Sequence, residues 1–374
     1  MATRNEWEVA VGAPSWIEAA RAYVEEQFPD ASIERIETLG PDVSGEEEAG
    51  HKAIGYGVPI RIVLGGAAGA RQLVLHAASK DRYGHDRRAD RAAGALLAFD
   101  TFGQIPSHVA ALDVGAIRHD GTFASLRDCG EFYLLTEFVP GRIYAEDLRQ
   151  IATAAVASAA DVHRAEKLAG YLATLHSQPI EPAPIRYTRA IRDLVGHGEG
   201  IFGLVDGFPD DTPGAPATRL RALEERAATW RWRMRGREGR LAHIHGDFHP
   251  FNIIFDDDDR LSLLDASRGC AGDPADDITC LTINYLFFGL QQPPARRAAM
   301  RSLWTRAWAR YFAGRGDPGL LEAAPPYFTW RALVLCNPEW YPDIDVSVRD
   351  ALLGEAEHAL ERGRLEPDAI AERL

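Results

Sequence analysis

The segment His245-Gly246-Asp247-Phe248-His249-Pro250-Phe251-Asn252 constrains this chain more than any other part of its 374 residues. Asp247 and Asn252 stand five positions apart. Directly after them come an apolar run, Ile253-Ile254-Phe255, a turn at Asp256 to Asp259, and a second apolar run, Leu261 to Leu264, that ends at Asp265. That order predicts a β-hairpin, which folds Asp265 back beside Asn252. The residue types have a chemical logic. A carboxylate such as Asp247 accepts a hydrogen bond from a hydroxyl and orients its oxygen for attack. An amide oxygen and a second carboxylate are hard ligands that suit Mg²⁺ and leave its other positions to phosphates and water.

The separation of Asp247 and Asn252 is that of the kinase catalytic loop. The whole pattern resembles the aminoglycoside phosphotransferase family, whose catalytic loop H-G-D-x-H-x-x-N is here His245 to Asn252. The family continues with I-D-W and then G-D-P-x-x-D. This chain has Leu264-Asp265-Ala266, then Gly272-Asp273-Pro274 and Asp277, so the tryptophan is missing. The resemblance implies an α+β, bilobal protein-kinase-like fold, with a small antiparallel-sheet N-lobe and a larger, mainly helical C-lobe. It implies transfer of the γ-phosphoryl group of ATP or GTP to a small-molecule hydroxyl, with Mg²⁺. Asp247 would be the catalytic residue, Asn252 and Asp265 the metal ligands, and His245, His249 and Asp277 the support of the loop.

Composition sets outer bounds. With 46% hydrophobic and 26% charged residues, this is an ordinary globular chain, long enough for two cores. The net charge of −14 opposes nucleic acid and suits a cationic ligand, although it also serves solubility. Cys129, Cys270, Cys280 and Cys336 form no C-x-x-C pair, so neither a zinc ribbon nor a redox motif is visible. The opening residues lack the apolar core of a signal peptide, and no run is long enough to span a membrane. A cytoplasmic protein with reduced thiols and no membrane partner is the expectation.

The expected N-lobe covers residues 1–136. Ser15 and Glu18 form a capping-box pattern ahead of Ile17, Ala20, Val24 and Phe28 at helical spacing. Ile33 to Leu39, Val58 to Leu64 and Leu73 to Ala77 read as strands, the last two joined by a turn at Gly65 to Gly69. Ser44 to Gly50 is the candidate phosphate-covering loop, with glycines that allow close approach and glutamates that oppose it. On the third strand the family's lysine falls at His76. Two readings stand: a phosphate contact in the lysine's place, or a structural histidine. Lys80 substitutes only if the strand ends early. The helix Ala89 to Phe99, with Ala93, Leu96 and Leu97 inward, matches the kinase helix whose acid pairs with that lysine. Asp90 is the first candidate for that acid and Asp86 the second. Phe132 to Gly141 resembles the last N-lobe strand and the hinge (137–142), where the backbone of Glu137, Phe138 and Val139 would meet the adenine edge.

The expected C-lobe, residues 143–374, is helical. Ala165, Leu168, Leu172 and Leu175 mark a core helix that closes at His176, a capping or core residue. Gly196 to Pro216 reads as a long loop of the kind that often covers substrate. Leu220 to Met234 returns to helix, with Trp230 and Trp232 as core residues. The C-terminal aromatics and Glu339, Asp343 and Asp345 suit a sugar or amine acceptor. Two other function classes stay open. One is a pseudokinase that binds nucleotide without transfer, motivated by His76. The other is a zinc hydrolase, because His243-Ile244-His245-Gly246-Asp247-Phe248-His249 resembles H-x-H-x-D-H with one residue too many.

Overall fold

The computed structural model describes residues 14–38, 59–66, 71–178, 180–181, 184–266 and 268–374. The candidate phosphate loop Ser44 to Gly50 lies outside them, as does most of the turn after Gly66. The chain falls into two compact units, Met1–Thr136 and Glu137–Leu374.

In the first unit, α1 (Pro14–Gln27) precedes three antiparallel strands, β1 (Ala31–Thr38), β2 (Ile60–Gly66) and β3 (Arg71–Leu75), in the order β1-β2-β3. Pro14 opens α1, where a missing N–H costs nothing, so Ser15 falls within the helix; the side chains of the expected capping box, Ser15 and Glu18, lie outside the described residues. Ile60, Ile62 and Leu64 recur at the strand period of two and face one side of β2, where Ala20 and Val24 of α1 pack on them. β3 ends at Leu75, one residue before His76. α2 (Arg88–Phe102) follows, then a hairpin of β4 (Gly115–Ile117) and β5 (Phe123–Ser125). Tyr23 of α1 donates to Asp113, and Asp113 accepts Ser125 Oγ at 2.8 Å, which ties the hairpin to the helix.

Two expectations for this unit need correction. α2 is present, but none of its residues is buried, and Leu97 is well exposed. An apolar helical stripe becomes a core only where another element covers it. The run Phe132 to Val139 forms no strand, and Tyr133 is 92% exposed. Strand propensity needs a hydrogen-bonding neighbour, and no strand of the described residues pairs with this run.

The second unit opens with β6 (Arg142–Ile143), α3 (Tyr144–Ala154), α4 (Ala159–Leu175), α5 (Pro184–Gly196), α6 (Ile201–Asp206) and α7 (Ala217–Arg233). Ser158 caps α4 through a full capping box with Asp161. The expected loop Gly196 to Pro216 therefore contains a helix, held because Ile201 and Leu204 are buried. Trp230 is a core residue, whereas Trp232 is 62% exposed, so only one of the two tryptophans packs as expected. Next come β7 (Ala242–His243), β8 (Ile253–Phe255), β9 (Leu261–Leu263) and β10 (Ala271–Gly272). The chain then runs through α8 (Ala275–Leu290), α9 (Ala298–Gly314), α10 (Leu320–Cys336), α11 (Val346–Arg362) and α12 (Pro367–Ala371). Strands β6-β8-β9 form one small antiparallel sheet, and β7 pairs with β10.

The composition of the structure is the expected α+β, with small antiparallel sheets and a mainly helical remainder. α8 is the centre of the second unit, buried along its whole length among α3, α9, α10 and α11. α10 carries Pro325 and Pro326 within the helix. Pro325 cannot pair with the carbonyl of Leu321, and that carbonyl instead accepts the amide of Leu365 at 2.8 Å.

Candidate active site

β7 pairs with β10, and Ile244 N donates to Cys270 O at 3.1 Å, which holds the chain straight up to His245. Gly246 then turns with φ +82°, a left-handed conformation that a side chain would strain. Asp247 follows. His249 Nδ1 accepts the amide of Phe251 at 3.2 Å and starts a single 3₁₀ turn, Pro250–Asn252. Asn252 O accepts Leu264 N at 2.9 Å, extending the β8–β9 ladder by one bond. The hairpin thus brings the backbone just before Asp265 to Asn252, as its sequence pattern predicts. Asp265 is exposed, with φ +50°.

Asp277, in the first turn of α8, holds the loop from beneath. Its Oδ2 accepts His245 N at 2.7 Å and its Oδ1 accepts Gly246 N at 2.8 Å. His176 caps α4, is buried, and links Asp277 (3.1 Å) to the hydroxyl of Tyr311 (2.7 Å). Burial raises the Asp277 carboxyl, but His176 and the two loop amides outweigh it and hold the group below the usual carboxylate range. His245 Nδ1 accepts the amide of Asp247 at 3.3 Å.

Asp247 meets two guanidinium groups and one imidazole. Arg331 Nη1 donates to its Oδ1 at 2.8 Å, Arg268 Nη2 lies 2.6 Å from the same oxygen, and His249 Nε2 is 3.6 Å from Oδ2. Asn252 Nδ2 donates to its carbonyl at 3.1 Å and to Oδ2 at 3.3 Å. Burial pushes the Asp247 carboxyl up, yet Arg331, Arg268 and His249 together hold it below its ordinary value. Burial lowers His249, with Asp247 opposing.

Sequence reasoning missed Arg331, Arg268, Asp276, Trp330 and Glu199. Arg331 is buried; its Nη2 donates to Gly246 O at 3.0 Å and to Asp276 Oδ1 at 2.5 Å, and its guanidinium lies 3.8 Å from the ring centroid of Trp330. Arg268 lies over the same ring at 4.8 Å and reaches Glu199 at 3.1 Å. A signal was present: Arg331 is the one charge in the apolar run Tyr327 to Cys336, and a buried charge requires partners.

Asn252 and Asp265 provide oxygen donors of the kind Mg²⁺ takes, and Asn252 turns its amide nitrogen to Asp247, so its oxygen is the atom left for a cation. The donor set therefore fits. Among the described residues no group of three or more His, Cys, Asp or Glu converges as metal ligands, and the run His243 to His249 does not gather as a zinc site.

The residues expected to meet nucleotide belong to the first unit and to the opening of the second. His76 is exposed just beyond β3. Lys80, considered on the condition that this strand ends early, is also exposed. Asp90 closes the capping box of α2, accepting Arg87 N at 2.8 Å, which gives it a helix-starting role. Glu137, Phe138 and Val139 belong to no helix or strand, and Glu137 and Phe138 are exposed.

A sequence profile of the phosphotransferase enzyme family matches residues 67–312, well over half of the chain, and the chain belongs to that family. It is a small-molecule kinase, so the zinc-hydrolase alternative falls. Solved structures similar to it include the GDP and kanamycin complex of APH(2″)-IIia, at 16% identity over 91% of this chain and 97% of that one, TM-score 0.34. A glucosamine kinase matches at 14% identity over 94% and 98%, TM-score 0.38. The choline kinase LicA from Streptococcus pneumoniae matches at 12% identity over 92% and 99%, TM-score 0.32. No curated protein matches the chain. No helix of the described residues is long and apolar enough to cross a membrane.

Proposed function

We propose that this enzyme transfers the γ-phosphoryl group of ATP or GTP to a hydroxyl of a cationic or sugar-like small molecule, with Asp247 as general base. One observation carries the reading: Asp247 and Asn252 are hydrogen-bonded on a loop whose backbone Asp277 holds, and the hairpin returns the chain at Asp265 to Asn252. The acceptor oxygen forms a bond to the γ-phosphorus, and the bond from that phosphorus to the β–γ bridging oxygen breaks. The nucleoside diphosphate leaves, and the hydroxyl proton passes to Asp247. Asn252 and Asp265 would hold Mg²⁺, which supplies positive charge to the phosphates when bound. His76, with Asp90, would touch the phosphates, and the backbone of Glu137 to Val139 the adenine edge. Catalysis then rests on positioning and charge neutralisation.

The net charge of −14 favours a cationic acceptor, and the four free thiols favour a reducing compartment such as the cytoplasm. The test is a radiolabelled ATP and GTP screen against aminoglycosides, macrolides, sugars and amino alcohols. Label on an acceptor supports the reading. Nucleotide binding by thermal shift without transfer to any compound supports the pseudokinase alternative, which the departure at His76 favours.

A further inference from the structure

We propose that Arg331 is the positioning residue of the general base: it occupies Oδ1 of Asp247 and so assigns Oδ2 to the acceptor hydroxyl. This rests on the reading of Asp247 given above. It adds to the site a helix outside the stretch matched by the family profile, since Arg331 lies on α10, past residue 312.

The Arg331 side chain is only 6% exposed, so its charge has no solvent to fall back on. Its fork is spent on three acceptors from two elements. Nη1 goes to Asp247 Oδ1, while Nη2 goes to Gly246 O and to Asp276 Oδ1 at the start of α8. Asp276 is the anchor. It is buried, its neighbour Asp277 is committed to the loop amides, and it ties the guanidinium to the central helix rather than to the loop. The ring of Trp330 stacks against the guanidinium and limits its tilt.

Gly246, the residue before Asp247, is thereby held at both of its backbone polar groups, N by Asp277 and O by Arg331. What remains is rotation of the Asp247 side chain, which the bond from Nη1 to Oδ1 restrains together with Arg268 Nη2 on the same oxygen. Arg268 reaches the same oxygen from the surface side and Gly246 O through its Nε at 3.2 Å, but its side chain is more exposed and its remaining partner, Glu199, lies at the surface, so the buried anchor to the central helix belongs to Arg331. Among the described residues, Oδ2 faces only the longer approaches of Asn252 Nδ2 at 3.3 Å and His249 Nε2 at 3.6 Å. It keeps a lone pair for the incoming O–H, and the proton released on transfer goes to that oxygen. Lysine cannot replace the fork, because one ammonium does not span two carboxylates and a carbonyl in a plane.

The test compares the parent with R331K, R331M/D276N and D247N. Turnover is read as phosphate release from Mg-ATP and Mg-GTP to water and as transfer to any acceptor from the panel, beside a crystal structure of R331M/D276N. Neutralising Asp276 in the double variant avoids leaving two buried carboxylates without their cation. The expected result is a kcat lower by about 100-fold, with nucleotide KM within about twofold. The Asp247 carboxylate should leave its position, and R331K should recover part of the loss. Parental kcat in R331M/D276N, or an Asp247 that keeps its place in that variant, overturns the proposal. If the double variant does not fold, R331K decides by the same split of kcat from KM. If no turnover is detectable in the parent, the position of the carboxylate decides alone. Parental activity in D247N sinks the reading of Asp247 itself, and this proposal with it.

Discussion

Asp277 shows how a single side chain sets the loop. Its carboxylate holds two backbone amides and meets His176, all without solvent, and these partners depress its pKa despite burial. The sign of the pH effect follows. A carboxyl whose folded pKa lies below its unfolded value contributes stability that is present above the unfolded value, about 3.9, and is lost as pH falls through the folded one. Asp277→Asn is expected to cost about 3 kcal/mol at neutral pH. That cost should shrink as urea unfolding is repeated at pH below about 4; a gap that stays constant with pH contradicts it. Asp247→Asn is expected to leave the loop standing and to remove the proposed base. We expect kcat to fall about 1,000-fold while the thermal shift with Mg-ATP or Mg-GTP is retained. Loss of that shift assigns Asp247 to binding instead.

At the scale of elements, the hairpin β8–β9 matters because it carries Asn252 on one leg and leads into Asp265 on the other. Its turn is not merely solvated. Arg164 Nε donates to Asp259 Oδ1 at 2.6 Å, Lys167 reaches the same carboxylate at 3.1 Å, and Arg164 Nη1 donates to the buried Asp147 at 2.7 Å. The turn is therefore clipped to α4, and α4 to α3. Arg164→Ala is expected to cost about 2 kcal/mol, since Asp147 loses one of its cations, and to speed amide exchange across Ile253 to Leu263. Unchanged exchange there means the turn holds itself. The hairpin was legible in sequence because its two apolar runs and its turn are local. The exposure of Leu97 and Tyr133 was not, because a pattern of apolar residues states what is available for burial and not what covers it.

For the whole molecule, the two units differ in their means of support. The large apolar cluster lies entirely between Tyr144 and Leu374, whereas the buried cluster of the first unit, among the described residues, is Ala20, Val24, Ile60, Ile62 and Leu64. A fragment of residues 137–374 is therefore expected to fold alone, with a cooperative thermal transition and native-like helical circular dichroism. A non-cooperative melt of the larger fragment contradicts this division of stability.

Sequence alone determined what depends on near neighbours. The spacing of Asp247 and Asn252, the hairpin that returns to Asp265, and the place of Asp277 ahead of an apolar helix are all read within a few tens of residues, and they identify the family. Tertiary structure decided what depends on distant partners. Arg331 meets Asp247 across 84 positions, and the run at Phe132 to Val139 stays without a strand partner among the described residues. The reason is physical: a turn or a helix start is stabilised by atoms close along the chain, whereas a buried cation or a strand edge takes its energy from whichever surface packing brings to it.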